Sequence, residues 1–527
     1  MRILYNLKAC TLWDEIPGAS ALAVDQGKII AIGAEKEILA LSTRNDVREN
    51  LHGSIVWPGL TDAHMHLQSY ALGLTQINCE TATRTECLQL VAQKVASTPV
   101  GEWVRGHGWN QNDWPEGFGS AALLDEVAPN HPVYLTAKSL HASWANSAAL
   151  KLAGVDLLTP NPANGMIQRD ADGNPTGILF ENAVELVERV IPSPRQEEIT
   201  AAIMLAQFSL LKVGVIGVHD FDGHECFRAL QNLEASGKLK LRVVKGIPLQ
   251  DLGNAASLGL QSGFGSEYLR IGPVKLFADG ALGPQTAAML EPYENQPGNS
   301  GLLFLNADQI FEYGQRTARS GLSLAIHAIG DRANREVLKA YARLRDFESG
   351  EGLPHLPHRI EHVQVLHPDD LPLLARLGIT ASMQPIHATS DMDTADIYWG
   401  KRARYAYAFR SLHELGTRLI FGSDAPVESP NPFWGLHAAV TRQRHSGYPS
   451  PEGWYPQEKL TLQQALESYT IHPAHVAGWG NRVGRLAPGY HADLIVLPRD
   501  PFQIDPAELV SIEPTRVMVG GERVTGE

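Results

Sequence analysis

The chain predicts an α/β protein built on a (β/α)8 barrel, and three observations carry that prediction. Short apolar runs ending in a polar residue recur eight times, in the order "IVWPGLTDAH", "GVIGVHD", "LRVVKGI", "PVKLFAD", "LSLAIHA", "HRIEHVQ", "ITASMQP" and "RLIFGSD". Between them lie stretches such as "DQIFEYGQRTARSG" and "PDDLPLLARLG", with apolar residues at helical spacing and a glycine at the C-terminal stop. Strand alternating with helix requires a parallel sheet, and eight such units close a barrel.

Taken in order, the elements divide the chain into segments. Residues 1–55 read as β-structure, with short apolar strands around an Asp-Gln-Gly turn in "ALAVDQGKIIAIG". Residues 56–80 hold the first barrel unit and residues 200–484 the remaining seven. Residues 81–199 break the rhythm and carry strand-like runs of their own, "EWVRGHGWN" and "HPVYLTAK". A long segment after the first strand reads as an insertion on a βα loop, at the face where barrel active sites form. Residues 485–527 return to β-structure in "GRLAPGYHADLIVLPRD" and "PTRVMVGGERV". The two β-rich ends either pair into one sheet or form separate hairpins on the barrel.

Composition narrows the function. With hydrophobic residues at 44%, a sizeable core can form. A net charge of −14 argues against nucleic acid or an anionic membrane as partner, since both select basic patches. The four cysteines, Cys10, Cys79, Cys87 and Cys226, include no C-x-x-C pair, so neither a disulfide framework nor a thiolate zinc knuckle is indicated. No run of 18 apolar residues and no signal-peptide core is present. A cytoplasmic protein is the expectation.

Chemistry concentrates at the ends of the apolar runs. His64 and His66 stand two residues apart in "GLTDAHMHL", a spacing that puts both imidazoles on one face of a strand. His219 lies near the end of the second run, Lys275 in the fourth, His327 in the fifth, His362 in the sixth, and Asp424 closes the eighth. Each alone has an ordinary explanation: a core histidine, a salt-bridge lysine, an aspartate capping a loop. Their convergence on one rim does not. Imidazole nitrogen and carboxylate oxygen are donors for zinc and similar divalent ions.

At these residues the chain resembles the amidohydrolase superfamily of metal-dependent hydrolases, and within it the amidohydrolase-3 branch that includes N-substituted formamide deformylase and exoenzyme-regulator-like proteins. The resemblance rests on "PGLTDAHMHL", "GWNQNDWPEG", "SLHASWANSAAL", "VKLFADGALG", "AIHAIGD", "RIEHVQ", "FGSDAPVESPNPFWGL" and "GRLAPGYHADLIVL", and spans almost the whole chain. It implies a TIM-like barrel, a small β-sandwich domain built from residues 1–55 and 485–527, and an inserted α+β lid domain over residues 81–199. It also implies a ligand set. His64, His66 and Asp424 hold a more buried ion, His327 and His362 a more exposed one, and Lys275, carboxylated on Nζ, bridges the two. The cofactor is then two divalent ions per chain, zinc by expectation, with manganese, iron or cobalt as alternatives.

The activity implied is hydrolysis of carbon–nitrogen bonds in non-peptide amides of small molecules. Hydroxide generated at the metal attacks, and Asp424 shuttles the proton to the leaving nitrogen. Open alternatives are a mononuclear site with Lys275 as a free amine, a deaminase or cyclic-amide hydrolase on the same barrel, and a non-catalytic scaffold. Trp109, Asn112, His141 and Trp144 stand in insertion motifs and are either substrate contacts or insertion core. His219 faces the pocket without ligating, Asp279 and Gly280 shape the rim, and Asp331 caps the helix after "AIHAIG". His355, His358, His413 and His437 read as structural. A homo-oligomer is compatible with such a barrel.

Overall fold

A computed structural model of the protein describes residues 1–111, 114–138, 142–163, 165–294 and 296–526. The eight apolar runs form eight parallel strands of one sheet. They are β1 Leu60–Met65, β2 Val215–Asp220, β3 Arg242–Pro248, β4 Leu269–Phe277, β5 Leu324–Ala328, β6 Arg359–His362, β7 Thr380–Met383 and β8 Leu419–Phe421. Sheet order follows chain order from β1 to β8. Every residue of β1 and β2 is buried, as in parallel strands covered on both faces, including the polar Thr61, Asp62, His64, His219 and Asp220.

Closure occurs where β8 returns to β1. Asp424 N donates to His64 O at 2.7 Å and His66 N donates to Ala425 O at 2.8 Å. Gly422 allows the approach: a Cβ there would lie 2.7 Å from Asp62 Oδ1 and inside contact distance of His64 N. Asp62 clamps the seam, accepting from Ser423 Oγ (2.5 Å), Ser423 N (3.0 Å) and His64 N (3.1 Å). The hydrogen bonds that shut the barrel are therefore made by residues beside His64, His66 and Asp424.

The barrel interior carries a polar layer. Arg359 on β6 donates to Ala63 O (2.6 Å), Ser382 Oγ (2.9 Å), Glu361 Oε2 (2.9 Å) and, through Nη1, His219 Nδ1 (2.8 Å). A buried guanidinium is tolerated only when its donors are matched this fully. Outside the sheet, the helix Ala307–Arg319 starts from a capping box made by Asn306 and Gln309. The next helix, Asp331–Gly350, is capped by Gly330 and not by Asp331. Asp331 is its first helical residue, and its carboxylate instead accepts from Leu290 N at 2.8 Å.

Both chain ends enter one seven-stranded sheet. Its order is Glu522–Thr525, Arg516–Val519, Leu494–Leu497, Val47–Pro58, Arg2–Cys10, Gly18–Asp25 and Lys28–Gly33. Leu494–Leu497 runs antiparallel to Val47–Pro58 and joins the C-terminal strands to the N-terminal ones. Arg242, the first residue of β3, forms a buried two-point ion pair with Asp493 just before this join: Nη2 to Oδ1 at 2.8 Å and Nε to Oδ2 at 2.5 Å.

The chain divides into two compact units, Met1–Leu67 with Ile203–Glu527, and Gln68–Ala202. The second unit has a six-stranded mixed sheet that includes Val104–Trp109, Val133–Ala137 and Ala142–Ala145. Its core contains Trp109, Trp114 and Trp144.

Candidate metal centre

The C-terminal ends of the barrel strands bring His64, His66, Lys275, His327, His362 and Asp424 together. Asp424 Oδ1 lies 3.4 Å from His64 Nε2 and 3.5 Å from His66 Nε2. Lys275 Nζ lies 3.5 Å from His64 Nε2. The ring of His362 is 4.9 Å from that of His64 and 4.5 Å from that of His327. Ligand atoms of His64, His362 and Asp424 all fall within 4.8 Å of one another. His362 and Asp424 adopt left-handed backbone, with φ of 74° and 59°. For residues with a Cβ this costs about 1–3 kcal/mol and is kept where a side chain must be aimed.

Each of the four histidines engages a second partner through one ring nitrogen. His64 Nδ1 meets Glu361 Oε2 at 2.5 Å, His66 Nδ1 meets Asp222 Oδ1 at 3.2 Å, and His362 Nδ1 meets Gln384 Oε1 at 2.9 Å. In His327 the roles reverse, and Nε2 meets Gly280 O at 2.9 Å. This pattern fixes each tautomer and leaves the other nitrogen as a lone-pair donor, the arrangement metal-ligating imidazoles require. The donor set thus fits a divalent ion.

Electrostatics agree with that use. Burial, reinforced by Lys275, pushes His64 and His327 down to about 4, so both stay neutral and able to ligate. Burial would raise the Asp424 carboxyl, but His64, His66, His387 and Lys275 hold it below its ordinary range. Burial lowers Lys275 to about 8. Its ammonium faces the rings of Phe221 (4.6 Å) and Phe277 (5.1 Å). Burial opposes ionisation of Glu361, yet Arg359 and His64 hold it well below the usual carboxylate range.

A second group of possible ligands, Asp220, Asp222 and Cys226, lies beside the first. Asp220 is paired with Lys245 at 2.9 Å and accepts from Leu67 N at 2.8 Å, while Asp222 holds His66. This group braces the loop after β2 behind the histidine pair.

The remaining sequence candidates separate. Asp279 is buried and accepts from Gly330 N (2.8 Å), Ala288 N (2.9 Å) and Ile329 N (3.0 Å), so it organises the rim below His327. His219 is enclosed in the barrel on Arg359, which makes it part of the interior layer rather than a substrate contact. Trp109 and Trp144 are core residues of the second unit, bonded through Nε1 to Leu135 O (2.8 Å) and Ser120 O (2.9 Å). Their indoles are taken up by packing, which favours the insertion-core alternative. Asn112 and His141 lie outside the described residues. Sequence reasoning missed Glu361, Arg359, Gln384, Asp222 and Asp62. Glu361 had a visible signal: "RIEH" puts an arginine, a glutamate and a histidine in one short strand segment, with the glutamate adjacent to a ligand-type histidine.

Comparison with known proteins agrees with this geometry. The Amidohydrolase family model matches residues 49–525. The chain is 31% identical over 523 residues to N-substituted formamide deformylase of Arthrobacter pascens, covering 95% of this chain and 94% of that one. It is 33% identical over 529 residues to protein LONG AFTER FAR-RED 3 of Arabidopsis thaliana, covering 97% and 89%. A crystal structure of a metal-dependent hydrolase from Pyrococcus horikoshii OT3 superposes with a TM-score of 0.81 at 28% identity, over 96% of this chain and 99% of that one. A barrel rim carrying a partnered set of histidines, joined to a family match over nearly the whole chain, makes this protein a member of the amidohydrolase family, in its amidohydrolase-3 branch, and a metal-dependent hydrolase of carbon–nitrogen bonds.

Proposed function

We propose that the protein hydrolyses a small non-peptide amide with two divalent ions, zinc by preference, held by His64, His66, His327, His362, Asp424 and a carboxylated Lys275. The observation that carries this reading is the set of second partners on the four imidazoles, each leaving one nitrogen free to ligate. The size of the set supports two ions. Four imidazoles, a carboxylate and a lysine exceed the four ligands of a tetrahedral zinc site. Lys275 supports the carboxylated form, because a buried ammonium among imidazoles repels a dication, whereas a carbamate there supplies an anion with two donor oxygens.

When bound, the ions supply an acidified water and a Lewis acid for the scissile carbonyl. The chain does the rest. Asp424, kept ionised and 3.4–3.5 Å from two imidazoles, takes the proton of the attacking water and delivers it to the departing nitrogen. Glu361, anchored by Arg359, holds His64 in one tautomer and orientation. Asp279 holds the rim loop against His327. The four free thiols suit a reducing, cytoplasmic setting, and among the described residues no helix is long and apolar enough to cross a membrane.

The test is metal analysis together with an amide panel. Two ions per chain and turnover of N-substituted formamides, abolished by chelation and restored by zinc, are expected. One ion per chain with ammonia release from amino-heterocycles would replace this reading with a mononuclear deaminase.

A further inference from the structure

We propose that His387, with Gln384 beside it, forms a donor cradle that hydrogen-bonds the acyl oxygen of the substrate and the carboxylate it becomes. The proposal rests on the reading of the rim as a carbon–nitrogen hydrolase centre. It starts from "MQPIH" at the end of β7. Met383 ends the strand, and Pro385 starts the short helix Pro385–Ser390 at a position where its missing N–H costs nothing. Gln384 and His387 are thereby delivered at the C-terminal rim, where barrel enzymes hold their substrates.

Two side-chain nitrogens in this stretch are buried without a partner. His387 is 6% exposed and Gln384 fully buried, yet His387 Nε2 and Gln384 Nε2 have no hydrogen-bond partner; Gln384 Nε2 is a donor, and His387 Nε2 is one in the Nε2–H tautomer. Leaving such an atom unmatched costs about 1–3 kcal/mol, so a buried orphan donor calls for an explanation. Both residues flank His362. Gln384 bonds its Nδ1 through Oε1, and the His387 ring lies parallel to the His362 ring, at 8°, with centroids 6.2 Å apart. Asp391, the carboxylate on the same turn, accepts the Tyr407 hydroxyl at 2.5 Å. Hydrolysis of any amide at this site creates a carboxylate, an acceptor of the kind these donors lack.

Gln384 also holds His362, so replacing it would disturb the metal site as well as the cradle. His387 separates the two roles. His387→Phe keeps the ring and removes the donor, whereas His387→Gln restores an N–H. The probe is formate, titrated calorimetrically into the metal-loaded protein. His387→Phe should weaken formate binding about tenfold to a hundredfold at unchanged metal content, with His387→Gln recovering most of the loss. On N-butylformamide, kcat should fall more than KM rises, because the bond strengthens as charge develops on the oxygen. Formate affinity equal to wild type in a folded, metal-loaded His387→Phe protein overturns the cradle. Should that variant not fold, a formate-soaked crystal of the wild-type protein decides: an oxygen within about 3.2 Å of Nε2 supports the proposal, and formate bound elsewhere rejects it. Failure of the amidohydrolase reading would show separately, as a wild-type protein that turns over no amide yet still gives a formate affinity to compare.

Discussion

At the scale of single residues, the centre depends on partners that stand one layer behind the putting-in-place of each ligand. Replacing Asp424 by Asn removes the proton acceptor while keeping the side chain's shape. Turnover should fall at least about 10²–10⁴-fold with the melting temperature nearly unchanged, read by steady-state kinetics and calorimetry. Glu361→Gln acts differently. It leaves every ligand in place but takes the carboxylate from between Arg359 and His64. Metal affinity should drop about 10–100-fold, measured by competition with a chromogenic chelator. Stability should fall too, because Arg359 remains buried with an unmatched charge. Equal metal affinity in the two proteins would mean that Glu361 serves packing alone.

At the scale of elements, the seam between β8 and β1 and the join between β3 and the terminal sheet carry the architecture. Gly422→Ala places a methyl group against His64 N and Asp62 Oδ1. Expected is a loss of about 1–3 kcal/mol in denaturant unfolding, with weakened metal binding, since the displaced strand end bears Asp424. Arg242→Met should cost about 3–5 kcal/mol by leaving Asp493 buried without its cation. Here the metal site, at the opposite strand ends, should keep its affinity. The contrast follows from where along the barrel axis each contact lies. Most of the elements were legible in the sequence, because strands covered on both faces are largely apolar and their helices need one apolar stripe, whereas β6, with Arg359, Glu361 and His362 in four residues, departs from that rule. Helix caps were less legible: Asp331 looks like a cap in "AIHAIGD", yet Gly330 takes that position and Asp331 reaches across to Leu290.

At the scale of the molecule, acid should destabilise the fold in steps. His358 is buried, accepts from Leu324 N at 3.0 Å through Nδ1, and donates to Glu348 at 2.9 Å through Nε2. Burial lowers its pKa. The unfolded chain, with histidine near 6.5, therefore binds the extra proton first, and stability rises with pH through that window. The contribution of neutral His358 is fully present above about pH 6.5 and is lost as pH falls toward the folded value. Glu348 is held below its ordinary range, against burial, by His358 and Arg345, so its contribution persists above about 4.3 and disappears below. Thermal unfolding between pH 7 and 5 should show a falling melting temperature, with a flatter slope in His358→Gln; an unaltered slope would assign the loss to other histidines.

The sequence by itself determined the eight strands, their parallel order and a set of ionisable side chains at the strand ends, from which the family resemblance singled out the six that meet at the rim. Strand burial writes itself as hydrophobicity, and ligand chemistry is restricted to a few residue types at strand ends. Tertiary structure alone decided the partners: Glu361 behind His64, Asp222 behind His66, Gln384 behind His362, and Trp109 and Trp144 as core rather than pocket. Those pairs join residues as many as 297 positions apart in the chain. A hydrogen bond is specified by distance and angle in space, and spacing along a chain carries neither once the two partners sit on different strands.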